Sequence, residues 1–167
     1  MNKVKILLMI LIIGTMAQQA LAAETSFFRP GRIIISAEYQ SLFPDCNSYD
    51  KLRYPQGLFE YCLSENFSLG LGLGYGSREH PGYLGKQNKW SVESSAFLNF
   101  GKKIVRGILG VGLVWLPNIS TVKAKGTLGI RFILAKNFAA HAKLLILKTT
   151  DMDFGVGFGY GLTFAFR

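Results

Sequence analysis

The chain has 167 residues, 49% hydrophobic and 17% charged, with a formal net charge of +9 and a mean hydropathy of +0.24. That length suits one domain, and that balance excludes a disordered chain, which needs few hydrophobes and much charge. Glycine reaches 19 residues against 5 prolines without Gly-X-Y periodicity, so collagen and Gly/Pro linkers are excluded too.

Residues 1–22 read as a cleaved signal peptide. Lys3 and Lys5 supply the positive start, and Ile6 to Met16 an apolar stretch too short to span a bilayer as a helix. Polar Gln18 and Gln19 follow, then the small-x-small site Ala20-Leu21-Ala22. Cleavage there predicts a mature domain over 23–167, and loss of Lys3 and Lys5 lowers the formal charge from +9 to +7. No later apolar run resembles a membrane helix. A soluble exported domain and a β-barrel stay open at this point.

Period-2 alternation predicts eight strands, at 31–40, 57–64, 67–76, 88–100, 104–115, 124–134, 138–147 and 153–166. The first places Ile33, Ile35, Ala37 and Tyr39 on one face. The second, with Phe59, Tyr61 and Leu63, is the least regular. The third alternates Phe67, Leu69, Leu71, Leu73 and Tyr75 with Ser68 and four glycines. The fourth carries Trp90, Val92, Ala96, Leu98 and Phe100. The fifth carries Leu109, Val111, Leu113 and Trp115, the sixth Leu128, Ile130 and Phe132, and the seventh Phe138, Ala140, Ala142, Leu144 and Ile146. The last repeats the pattern of the third, with Phe154, Val156, Phe158, Tyr160, Leu162, Phe164 and Phe166 opposite Gly155, Gly157, Gly159, Gly161, Thr163 and Ala165. Ile108, Val114, Leu145 and Leu147 break the rule by adding apolar residues to the second face of the fifth and seventh strands.

Connections alternate in length. Tight turns are expected at 65–66, 101–103 and 135–137, and longer loops at 41–56, 77–87, 116–123 and 148–152. This describes an all-β, eight-stranded antiparallel up-and-down transmembrane β-barrel, with both termini on the short-turn side. A soluble barrel would turn its apolar face inward and carry long polar side chains outside. Here the second face is mostly glycine, which fits a narrow lumen and leaves the bulky face for lipid. By this assignment 11 of the 19 glycines line the lumen. Aromatic residues fall into two groups: Tyr39, Tyr75, Trp90, Trp115 and Phe154 toward the loops, and Phe67, Phe100, Phe138 and Phe166 toward the turns. That is one girdle per membrane interface.

The chain ends Gly161-Leu162-Thr163-Phe164-Ala165-Phe166, followed by Arg167. The spacing of Gly161, Phe164 and Phe166 resembles the C-terminal assembly signal of bacterial outer-membrane proteins, in which the aromatic usually comes last. The mature chain as a whole resembles the small eight-stranded class that includes the OmpA membrane domain, OmpX-like and opacity-type proteins. That resemblance implies a Gram-negative outer-membrane location, lipid contact and delivery by the barrel-assembly machinery. It carries no activity with it.

On the small-residue face, parity places Arg32, Glu38, Glu60, Glu93, Arg106, Arg131, His141, Lys143 and Asp153, with both signs on neighbouring strands. The expectation is a salt-bridged polar plug, since eight strands leave no open channel; a gated ion path is the competing reading. His80 and His141 share no metal-ligand spacing, and no cofactor motif is present. An outer-membrane enzyme is a further alternative, the comparison being the eight-stranded lipid A 3-O-deacylase. Its His-x-Ser-Asn run is absent from 144–150, so no catalytic residue is carried over. The glycine runs are period-2 strand residues with no following helix, unlike a dinucleotide fingerprint.

Cys46 and Cys62 form an even pair in an exported protein, so a disulfide is chemically allowed. Arg78, Lys86, Lys89, Lys123 and Lys148 lie in or beside the expected loops, where they would meet the phosphates of lipopolysaccharide. Phe43, Tyr49 and Tyr54 mark the first loop as the expected contact surface. The export signal speaks against a nucleic-acid partner, and the protein is expected to act as a monomer with a structural or interaction role.

Overall fold

Alternation of bulky and small residues lets a sheet present lipid-compatible side chains on one face and close tightly on the other. The computed structural model describes residues 27–43, 51–79, 87–101, 104–116, 121–148 and 154–166. Its strands are β1 (Ile33–Phe43), β2 (Lys51–Cys62), β3 (Phe67–Glu79), β4 (Gln87–Phe100), β5 (Val105–Leu116), β6 (Thr121–Ala135), β7 (Phe138–Lys148) and β8 (Phe154–Phe166). Each pairs antiparallel with the next, and β8 closes on β1 with Phe166 opposite Ile33 and Val156 opposite Phe43. The result is a closed eight-stranded barrel with no sheet edge left unpaired.

The apolar set named from the sequence faces outward. Leu71, Val111 and Tyr160 are more than 60% exposed, while their strand neighbours Gly70, Gly110 and Gly159 are buried. A continuous belt of exposed Leu, Val, Phe and Tyr far exceeds the apolar patch a soluble monomer tolerates. Among the described residues no helix is long and apolar enough to cross a membrane. Ile108, Val114, Leu145 and Leu147 point inward and help fill the lumen.

The second strand departs most from expectation. It begins at Lys51, not near 57, and pairs with β1 from Leu52 opposite Leu42 to Tyr61 opposite Ile33. Pro55 and Gly57 make this stretch look like a loop, yet Pro55 sits in a strand opposite Tyr39. Proline has no N–H to give a ladder. The pairing with β3 lapses at Tyr54 and Pro55 and resumes at Gln56 in the same register. The loop ends of β1, β3 and β6 also run about three residues past expectation, to Phe43, to Glu79 and back to Thr121. Ser41, Arg53, Ser77 and Asn88 share one register row above the Tyr39–Tyr75–Trp90 level. There the wall leaves lipid, so the hydrophobic alternation that would have marked a strand is gone.

The chain enters β1 through a feature the strand pattern does not announce. Phe27 and Phe28 are fully buried at the turn-end mouth, packed with Ile34, Cys62, Ile133, Ala139 and Ala165. Gly31, at φ 79°, reverses the chain from this plug into the wall, and its N–H donates to the Cys62 carbonyl at 2.8 Å. That left-handed backbone favours glycine.

Candidate functional site: a sealed, charged lumen and a basic outer rim

Charge buried in the lumen must be paired, because removing it from bulk water is costly. Arg32, Glu38, Glu60, Glu93, Arg106, Arg131 and Lys143 are all buried on the lumen side of the wall, as is His141. Asp153 lies outside the described residues. Each of the three carboxylates holds a cation. Glu60 on β2 meets Arg131 on β6 at 2.6 Å. Glu93 on β4 meets Lys125, also on β6, at 2.6 Å. Glu38 on β1 meets Lys143 on β7. None of these pairs joins neighbouring strands. Glu38–Lys143 and Glu93–Lys125 each skip one strand, whereas Glu60–Arg131 joins opposite walls, which a barrel this narrow brings within side-chain reach.

Neutral donors complete each carboxylate. Ser68 Oγ donates to Glu60 at 3.2 Å, and Asn99 Nδ2 donates to Ser68 Oγ at 3.4 Å. Gln56 Nε2 and Ser95 Oγ donate to Glu93 at 2.7 and 2.6 Å. Gln40 Nε2 donates to Glu38 at 3.1 Å, and Tyr54 donates to Gln40 Oε1 at 3.1 Å. Toward the turns, Arg106 Nη1 donates to the Glu65 carbonyl at 2.9 Å, and Arg32 bonds Asn137 Oδ1. The Arg106 and Arg131 guanidiniums lie 4.8 and 5.2 Å from the Phe28 ring, which offers a cation–π face where their Nε atoms lack a hydrogen-bond partner.

Apolar layers seal the network at both ends. Below it lies the Phe27–Phe28 plug. Above it lie Leu42, Tyr54, Val114, Leu116, Leu145 and Leu147, and at mid-height Leu58, Phe97 and Ile108. Glycine makes this packing achievable: a Cβ at Gly70 or Gly110 would fall 2.8 or 2.6 Å from the Phe97 ring. The ring from β4 therefore lies across the glycines of both neighbouring strands.

One triplet has the order of a hydrolase site. Thr163 Oγ1 is 2.9 Å from His141 Nδ1, and His141 Nε2 is 3.2 Å from Glu38 Oε1 without hydrogen-bond geometry. All three side chains are buried between the apolar seals, and Lys143 already occupies Glu38. A nucleophile needs an approach for substrate, and this one faces packed protein. Among the described residues no cluster of His, Cys, Asp and Glu could hold a metal ion.

The basic rim is only partly described. Lys86 lies outside the described residues. Arg78 and Lys89 belong to the loop ends of β3 and β4. Lys123 is half-buried on the lumen face of β6 near its loop end, on the same side as Lys125. Lys148 is exposed, with its Nζ 5.6 Å from the Phe154 ring. Of the first-loop aromatics, Tyr54 is a buried lumen residue of β2, Phe43 ends β1, and Tyr49 lies outside the described residues. Tyr54 is thus part of the plug and no contact surface.

Of the two cysteines allowed a disulfide, only Cys62 is among the described residues. It is a free, buried thiol at the turn end of β2, whereas Cys46 belongs to the stretch 44–50 that precedes the opposite end of that strand and lies outside the described residues. At the C-terminus, Phe164 and Phe166 face lipid and Gly161 lies in the wall opposite Glu38 and His141.

Lys125, Gln40, Gln56 and the Phe27–Phe28 pair belong to the lumen but were not singled out from the sequence. Lys125 shares parity with Arg131, a signal present in the sequence. The Phe-Phe pair before Arg-Pro-Gly precedes the first strand, where alternation gives no information.

No protein-family model and no curated protein matches the chain. Solved structures do. The N-terminal β-barrel domain of Pseudomonas aeruginosa OprF aligns with TM-score 0.60 at 20% identity, over 82% of this chain and 98% of that one. Neisserial surface protein A aligns with TM-score 0.55 at 12% identity, over 81% and 96%. Yersinia pestis Ail, solved in complex with the heparin analogue sucrose octasulfate, aligns with TM-score 0.52 at 16% identity, over 82% and 99%. The chain has the fold of the small eight-stranded outer-membrane β-barrels.

Proposed function

We propose that this chain is an integral barrel of a Gram-negative outer membrane with a structural or interaction role, exported by the leader 1–22 and presenting its loop end to lipopolysaccharide. The observation that carries this reading is the combination of a lipid-compatible exterior with a lumen filled by paired charge and sealed at both ends. With the interior closed, the surfaces are left to do the work. Arg78, Lys86, Lys89, Lys123 and Lys148 supply cations on or next to the loop ends, and phosphate is the anion they suit. The same fold carries a polysulfated sugar in Ail. Biogenesis would pass through the barrel-assembly machinery, which reads Gly161, Phe164 and Phe166 at the C-terminus.

The test compares vesicles. Protein folded in phosphatidylcholine bilayers should recruit lipid A-containing particles more than phosphatidylglycerol ones, and replacing the five rim cations by Ser should remove that preference. Equal recruitment of both lipids by the unaltered protein overturns the lipopolysaccharide reading. The Thr163–His141–Glu38 order gives an enzyme reading its one observation. Mass analysis of lipid A from cells with and without the gene addresses it: we expect an unchanged profile, and a deacylated species dependent on Thr163 would contradict us.

A further inference from the structure

The outer wall carries a groove of about 790 Å³ centred on β1 and β2 and reaching β7 and β8 on one side and β3 and β4 on the other, close to the loop-end girdle. Its floor is small: Ala37 pairs with Gly57, and Pro55 follows one lipid-facing position higher. Its walls are aromatic. On one side Tyr39 and Tyr160 stand with ring centroids 5.8 Å apart, and on the other Tyr75 and Trp90 stand 4.6 Å apart. Leu73 and Leu162 flank Gly57 and Ala37 in the same register row, and Ala140 follows Leu162.

Two observations separate this groove from ordinary wall roughness. A Cβ added at Gly57 would meet nothing within 4 Å, so the barrel's own packing does not require glycine there. Directly above the floor, Arg53 is exposed two residues up β2 from Pro55, about 7 Å along the strand. It sits in the polar row with Ser41 and Ser77, where the wall leaves lipid for the headgroup region. A guanidinium there offers a planar pair of donors matched to a phosphate.

We propose that this groove seats one lipid A molecule, with an acyl chain along Gly57 and Ala37 between the aromatic pairs and a phosphate on Arg53. The occupant follows from charge and position. The groove opens at the loop end, which in such barrels faces outward, and the lipid of that leaflet carries phosphate above its acyl chains. This inference rests on the outer-membrane reading above but not on the rim cations, since it assigns a defined seat on the wall.

Native mass spectrometry of the protein extracted from membranes in mild detergent tests it, with lipid A and phosphatidylglycerol as separate probes. The unaltered protein should retain a single lipid A and prefer it over phosphatidylglycerol about tenfold. Arg53→Gln should lower that retention about tenfold, the size expected for losing one charge-assisted contact, and Gly57→Leu should lower it as much by filling the acyl seat. Gly126→Leu, on the lipid face of β6, should leave it unchanged, and heat-modifiable gel mobility should show all three variants folded. The proposal is overturned if no lipid A is retained, if phosphatidylglycerol is held equally well, if Gly57→Leu leaves retention intact, or if a second copy of the chain occupies the groove. The vesicle assay on the five rim cations is read separately, so either reading can fail while the other stands.

Discussion

Arg131 illustrates what single residues do in this lumen. It reaches from β6 to Glu60 on β2 at 2.6 Å, with both side chains essentially inaccessible. Removing one partner of a buried pair leaves an uncompensated charge, at a cost of about 3–5 kcal/mol, whereas replacing both by apolar groups is often neutral. Arg131→Met is therefore expected to destabilise the barrel by about 3–5 kcal/mol, and Glu60→Leu with Arg131→Met to recover most of that. Urea unfolding in lipid bilayers measures both, and two additive single changes would argue against the bridge. Phe97 makes the complementary case for volume. Its ring lies where a Cβ at Gly110 would be, so Gly110→Val overfills the core at about 1–3 kcal/mol. Adding Phe97→Ala should relieve part of that strain in the same assay. Both roles were half legible: parity put the charges and glycines inside, but no sequence pattern says which cation meets which carboxylate across a lumen.

At the scale of elements, the Phe27–Phe28 plug and the long β2 are what the sequence conceals. The plug is a short apolar segment outside any strand, so period-2 reading passes over it. Pro55 and Gly57 disguise β2, and only the pairing with β1 shows that one side of the ladder tolerates a missing N–H. The plug has a direct reporter. Cys62 is fully buried against it, so in a Cys46→Ser background the folded protein should resist maleimide. Phe27→Ser with Phe28→Ser should expose that thiol and cost about 3 kcal/mol or more of stability, as expected for lost core aromatics. Unchanged protection in the variant would place the seal elsewhere.

For the whole molecule, the legible part was the wall. Alternation sufficed because lipid outside and a narrow lumen inside impose opposite demands on successive residues. The loop ends of the strands were not legible, since Ser41, Arg53 and Ser77 share a polar register row where the alternation of bulky and small residues stops. The sealed lumen predicts that the folded monomer shows no stable, large conductance in planar bilayers; a persistent open channel would mean that the apolar seals part.

The central claim is that a greasy wall faces lipid and a charged lumen lies behind it. Nitroxide labels placed singly at Ser94, Ser95 and Ala96 on β4, in a background without the native cysteines, test it most directly, because Ser95 faces the lumen and its two neighbours face out. In bilayers, collision with lipid-soluble oxygen should be frequent at 94 and 96 and rare at 95. The reverse order, or equal values at all three positions, would contradict the account.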